Sequence, residues 1–252
     1  MKIICLMKLI WIIFSKGKHM RIIFLLLLPF IIASSVIYAE SDKGQHQGVY
    51  AQIDTKKDIQ VIDLLLNGNK EEQNQTAKKI VEHSDQYCPA VLFYLARYFF
   101  YQNKDEDAIF WLYAARIRIL FDIKRCTDLT VEDSSEAMSY QMPNLLRIIQ
   151  FENIDNSKVL FKKALEWDKQ TPHNYDPAWI ALHGMGVFLP TSDKTTLESL
   201  NIPKEQWTSL AEENRNDYLQ DYMEYMDGIT PEQLTLMKKK IQELRKEEAN
   251  NK

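Results

Sequence analysis

The chain is short of the residues that mark fibrous or low-complexity proteins. It has seven glycines and eight prolines in 252 residues, which excludes a collagen-like or Pro/Gly-rich class. With 46% hydrophobic and 26% charged residues it is also not disordered along its whole length. Five histidines (His19, His46, His83, His173, His183) are scattered, and there is no His-Glu-x-x-His run and no Cys-x-x-Cys pair, so no metal-ligand cluster is written in the sequence. No G-x-S-x-G elbow marks a serine nucleophile, and no glycine-rich loop follows a strand to cradle a phosphate. Nothing implies a cofactor. Outside the N-terminal segment there is no basic stripe with interleaved aromatics, which excludes nucleic acid as a partner.

Acid is missing altogether from residues 1–39, whereas Lys2, Lys8, Lys16, Lys18 and Arg21 are all cationic. From Met20, a candidate true start, the order is Arg21, an apolar run from Ile22 to Ile32, then Ala33-Ser34-Ser35-Val36-Ile37-Tyr38-Ala39 and the polar Glu40-Ser41-Asp42-Lys43. Charge, apolar core and small residues in that order read as a secretory signal, cut after Ala39. Left uncut, the 18 residues 22–39 reach the minimum length for a membrane span. They would then form a signal anchor with the lysines in the cytoplasm. In both cases the body is exported, either periplasmic or secreted, or held at the inner membrane. Membrane contact is expected only through this N-terminal segment. Without the five cations the formal charge of -4 becomes -9 for residues 40–252.

Two cysteines remain in that body, Cys88 and Cys126, and an oxidising compartment favours a disulfide between them. Closing a loop of that length would stabilise the fold by about 4 kcal/mol on the chain-entropy model.

Residues 40–57 read as a flexible lead-in, 58–228 as a helical domain and 229–252 as an amphipathic C-terminal helix. Ile59, Ile62, Leu65 and Leu66 share one helical face, closed by Gly68; Ala77, Ile80 and Val81 follow at helical spacing. Pro89 to Ile123 is an antiparallel helical hairpin broken at Gln102-Asn103-Lys104-Asp105. It carries Phe93, Tyr94, Tyr98, Phe99, Phe100, Tyr101, Phe110, Trp111 and Tyr113, most of which must be buried. Asp128 to Pro143 reads as a connecting loop with a short helical piece near Glu136 to Tyr140. Gly184 and Gly186, two apart in the apolar stretch 177–189, suggest either a close helix crossing or a loop against a ligand. In the final helix Leu234, Met237, Ile241 and Leu244 line one face, and its lysines are expected to dock on the acidic helix before it.

The hairpin at 89–122 resembles a tetratricopeptide or Sel1-like repeat. Leu92, Leu95, Ala96, Phe99, Ala108, Leu112 and Ala115 fall on the positions where that 34-residue unit alternates large and small side chains. Three departures are plain: Ala96 replaces the usual glycine, Leu112 an aromatic and Leu120 the closing proline. A weaker echo runs through Leu160, Phe161, Ala164 and Leu165. The resemblance implies an all-α fold of repeat-like hairpins or a compact helical domain. It also implies a binding face on the hairpin's first helix, with Tyr94, Arg97, Tyr98 and Tyr101 as candidate partner contacts. The function expected is therefore non-enzymatic protein–protein interaction in the bacterial cell envelope, including inhibitor or immunity roles. The rival reading is an envelope hydrolase of glycan or peptide using acids such as Glu132 or Glu136, in which case their substitution would abolish turnover.

Overall fold

The computed structural model describes residues 47–189 and 195–250. The chain divides into two units, Met1–Gln45 and His46–Lys252, and the described residues belong to the second. The leader and its cleavage site, and residues 40–46 of the lead-in, lie outside them. The described fold is all-α: the only pairing of extended chain among these residues is a bridge between Cys126 and Asn201. No described helix is long and apolar enough to cross a membrane.

Two short helices come first, α1 (Lys56–Asn67) and α2 (Lys70–Glu82). Between them Gly68 has an ordinary φ, and its small size matters for another reason: a Cβ there would sit 2.5 Å from the Leu64 carbonyl oxygen. Asn69 then starts α2 with a capping box, accepting from the Glu71 and Glu72 N–H groups while the Glu72 carboxylate accepts from the Asn69 N–H at 2.7 Å.

Helix α3 (Pro89–Tyr101) has proline at its first position, where the missing N–H costs nothing. It ends at Asn103, whose φ of 57° permits the Lys104 N–H to reach back to the Phe99 carbonyl, a Schellman-type stop with asparagine in the glycine place. Helix α4 (Asp105–Arg125) opens on three acids and closes on Lys124 and Arg125, matching its dipole at both ends. It is the spine of the fold, packing against α3, α7 (Ile154–Gln170) and α8 (Trp207–Asp227). Ala108, Ala114 and Ala115 are fully buried and allow close approach. Where α4 meets α7 and α8, Phe161 stacks on Tyr222 at 3.9 Å, and the Tyr113 hydroxyl bonds both Tyr222 and Gln150.

Among its described residues the segment between α7 and α8 holds no α-helix; it is a strap with 3-10 turns at 177–183, 185–188, 197–200 and 204–206. Pro172, Pro177 and Pro203, with two glycines, break helical continuity along it.

Several expectations are revised. The lead-in is folded from Gly48 onward: Val49 and Tyr50 form a 3-10 turn and are buried in the core. The short helical piece expected in the loop before α6 (Asn144–Ile148) is present as α5 (Ser134–Tyr140), starting two residues earlier. The last helix, α9 (Pro231–Asn250), packs mainly on α6 and residues 149–151 rather than on acidic α8. Arg245 sets that choice, bonding Asp105 at 2.7 Å and Glu152 at 2.6 Å.

Candidate functional site

Of the seven residues matched to repeat positions, Leu92, Leu95, Ala96, Ala108, Leu112 and Ala115 are buried where α3 and α4 meet, and Phe99 is partly buried. The four candidate partner contacts occupy the outer side of α3. Tyr94 donates to Gln141 at 2.9 Å and Tyr98 to Asn74 at 2.6 Å, while the Arg97 guanidinium lies 5.5 Å from the centre of the Tyr101 ring. Tyr94, Arg97 and Tyr98 are half-buried and Tyr101 is exposed. Two hydroxyls are thus fixed by neighbours in α2 and after α5, leaving ring faces and one arginine towards solvent.

The cysteine pairing expected from the sequence is not formed. Cys88 and Cys126 are both buried, and no bond joins them. Cys88 caps the start of α3 and Cys126 the end of α4, and α4 has 21 residues against 13 in α3. At 1.5 Å per residue, the overhang carries Cys126 about 12 Å past Cys88, beyond the roughly 7 Å that a disulfide spans. Asp58 lies beside Cys88; burial, then the Asp58 charge, push the thiol well above its ordinary range.

The densest chemistry was not anticipated from the sequence. Arg118, Asp122 and Arg125, on one side of α4, are all fully buried, and Asp168 of α7 is nearly so. Arg118 donates to Asp168 and to the carbonyls of Ser84, Thr171 and Pro172 at 3.0–3.3 Å, and lies 4.3 Å over the Trp167 ring. Asp122 accepts from Arg125, from the Tyr175 hydroxyl at 3.1 Å and from the Trp179 indole at 2.7 Å. Arg125 is sandwiched between Phe121 and Trp207 at 4.5 and 4.6 Å. Asp168 also accepts from His173 and Arg215, each at 2.9 Å. Burial alone would raise the Asp168 pKa, but the bond to and charge of His173, the Arg118 charge and the Arg215 bond outweigh it and hold the carboxyl below its usual range.

Each carboxylate here serves three donors, and none of the four side chains faces solvent. The cluster is a clamp that holds the strap onto α4. Glu132 and Glu136 lie outside it on exposed surface, Glu136 accepting from Tyr140. Among the described residues no three His, Cys, Asp or Glu side chains converge as metal ligands.

The strap presents a second surface that sequence reasoning missed. Leu129, Met185, Phe188 and Leu189 are 83%, 59%, 74% and 61% exposed. They stand on two adjoining 3-10 turns, Leu129–Val131 and Met185–Phe188. Asp128 and Thr130 stitch these together: Gly186 donates to the Asp128 carboxylate at 2.8 Å and Met185 to the Thr130 hydroxyl at 2.7 Å. The glycine pair sits where two 3-10 turns meet closely, not at a helix crossing. A Cβ on Gly184 would lie 2.3 Å from Asp128 Oδ2, and one on Gly186 2.3 Å from the Tyr50 hydroxyl. That pair was the one sequence signal for this tip. Neither a family model nor a curated protein nor a solved structure matches the chain.

Proposed function

We propose that this chain is an exported, non-enzymatic helical protein of the bacterial cell envelope that works by binding another protein. Export follows from the acid-free, apolar N-terminal segment closed by Ala39. The observation that carries the binding role is the row Tyr94, Arg97, Tyr98 and Tyr101, because tyrosine and arginine dominate binding hot spots and here two hydroxyls are already held in place. Helices α1, α2 and α4 all pack on α3, so the row stands on a helix supported by three others. An inhibitor or immunity role suits an acidic body that meets a basic partner.

A photoreactive residue at Tyr101, installed in the full chain in cells, tests this. A discrete adduct that is lost when Arg97→Asp is added, with none from the same group at Leu236 on α9, is the expected result. Equal labelling at both positions, or an adduct indifferent to Arg97→Asp, contradicts it.

A further inference from the structure

We infer that the apolar tip formed by Leu129, Met185, Phe188 and Leu189 is a lipid-contacting element that rests in the interfacial region of a bilayer. Three observations converge on it.

First, the tip is built to leave water without stranding polar groups. Irregular backbone tolerates an apolar medium only when its N–H groups are paired. Here Thr130 donates to Asp128 through both its N–H and its hydroxyl, Val131 to the Asp128 carbonyl and Glu132 to that of Leu129. Gly184 donates to Ala181, Met185 to Thr130, Gly186 to Asp128 and Leu189 to the Gly186 carbonyl. The Asp128 carboxylate between these turns is thus engaged by three donors.

Second, the tip is preformed. Gly184 and Gly186 fit so closely against Asp128 and Tyr50 that the two turns hold one arrangement, and Val131 is buried directly beneath them. A rigid apolar projection inserts without the ordering cost that a floppy loop meets.

Third, the chain enters the described fold at the base of this tip, where the Tyr50 hydroxyl meets Gly186. Eleven positions earlier in sequence is Ala39, the end of the 18-residue apolar stretch. Eleven residues span at most about 37 Å. When that stretch is retained in a membrane, the tether raises the effective concentration of bilayer around a tip whose own affinity is small. Exposed Glu132 and Asp133 flank Leu129 and select a zwitterionic surface over an anionic one.

The tether belongs to the uncut form of the N-terminal segment, and the export reading also sets which leaflet is met. A vesicle experiment is independent of that reading, so failure of one is distinguishable from failure of the other. The full chain is bound to vesicles of phosphatidylcholine whose acyl chains carry bromine, with Phe188→Trp as reporter, Leu129→Trp as a second reporter should the first misfold, and Leu236→Trp as control. Subtracting the parent's emission isolates each added indole. A blue shift and bromine-dependent loss of emission at the tip reporters, absent from the control and no stronger when phosphatidylglycerol is added, is the expected result. Unquenched tip reporters, quenching equal at tip and control, or quenching confined to anionic vesicles overturns the inference.

Discussion

The two halves of α4 are stabilised in different ways. Its first half, through Ile117, packs as apolar surface with alanines at the tightest crossings, against helices that satisfy their own backbones. Its second half carries Arg118, Asp122 and Arg125 into equally complete burial, because there it faces the strap, which has few regular backbone bonds of its own. Side-chain charges supply what a helix would have supplied: Arg118 takes three main-chain carbonyls, and Asp122 takes Tyr175 and Trp179. An interior can therefore be apolar or ionic along one helix, according to whether its neighbour is hydrogen-bonded within itself.

Breaking the ionic half should have the largest effect. Arg118→Ala removes one of the three donors to Asp168 and the Arg118 donor to three carbonyls, and a chemical denaturation midpoint should report a loss of about 3–5 kcal/mol, as for other severed buried pairs. In the apolar half, Leu112→Ala should cost about 2–4 kcal/mol by the same measurement, the transfer and cavity terms of one fully buried leucine. Swapping the order of these two losses would mean that the clamp is dispensable.

Gly186→Ala sharpens the comparison within the strap. Its methyl group would meet the Tyr50 hydroxyl and Asp128, and thermal unfolding should register about 1–3 kcal/mol of destabilisation.

Acid provides a graded version of the same test. The Asp168 carboxyl is depressed in the folded protein, so its contribution is fully present above the unfolded carboxylate range, about pH 4, and is lost as pH falls through the lower folded value. Stability measured from pH 5 to pH 2 should fall, and Asp168→Asn should flatten the part of that slope this carboxyl supplies. The smallest effect belongs to the tip: Phe188→Ser, at a 74% exposed position, should leave stability within about 0.5 kcal/mol of the parent, so any change it makes in binding is not a folding effect.

The apolar framework was legible because helices write their packing as a period. Leu92, Leu95 and Ala96, then Ala108, Leu112 and Ala115, recur every three or four residues, and Pro89 and Asn103 punctuate them. The clamp was not legible, because Arg118, Asp122 and Arg125 read as solvated charge when taken one by one. A signal did exist: the spacing of Trp111, Ala115, Arg118, Asp122 and Arg125 continues one buried seam into charged positions. The strap's 3-10 turns carry no period to read, and the exposed tip depends on contacts of Gly184 and Gly186 with residues far away in sequence. The disulfide expectation failed because loop length and compartment say nothing about helix register, and an overhang of two helical turns decided the matter.

Hydrogen exchange measured residue by residue on Asp122→Asn beside the parent tests the central claim, that the clamp holds the strap and the apolar packing holds the bundle. The account predicts lost protection at Asn174, Ala178 and Gly186 while the interior of α3 and the first half of α4 stay as slow as in the parent. A uniform loss across both regions, or none in the strap, would contradict it.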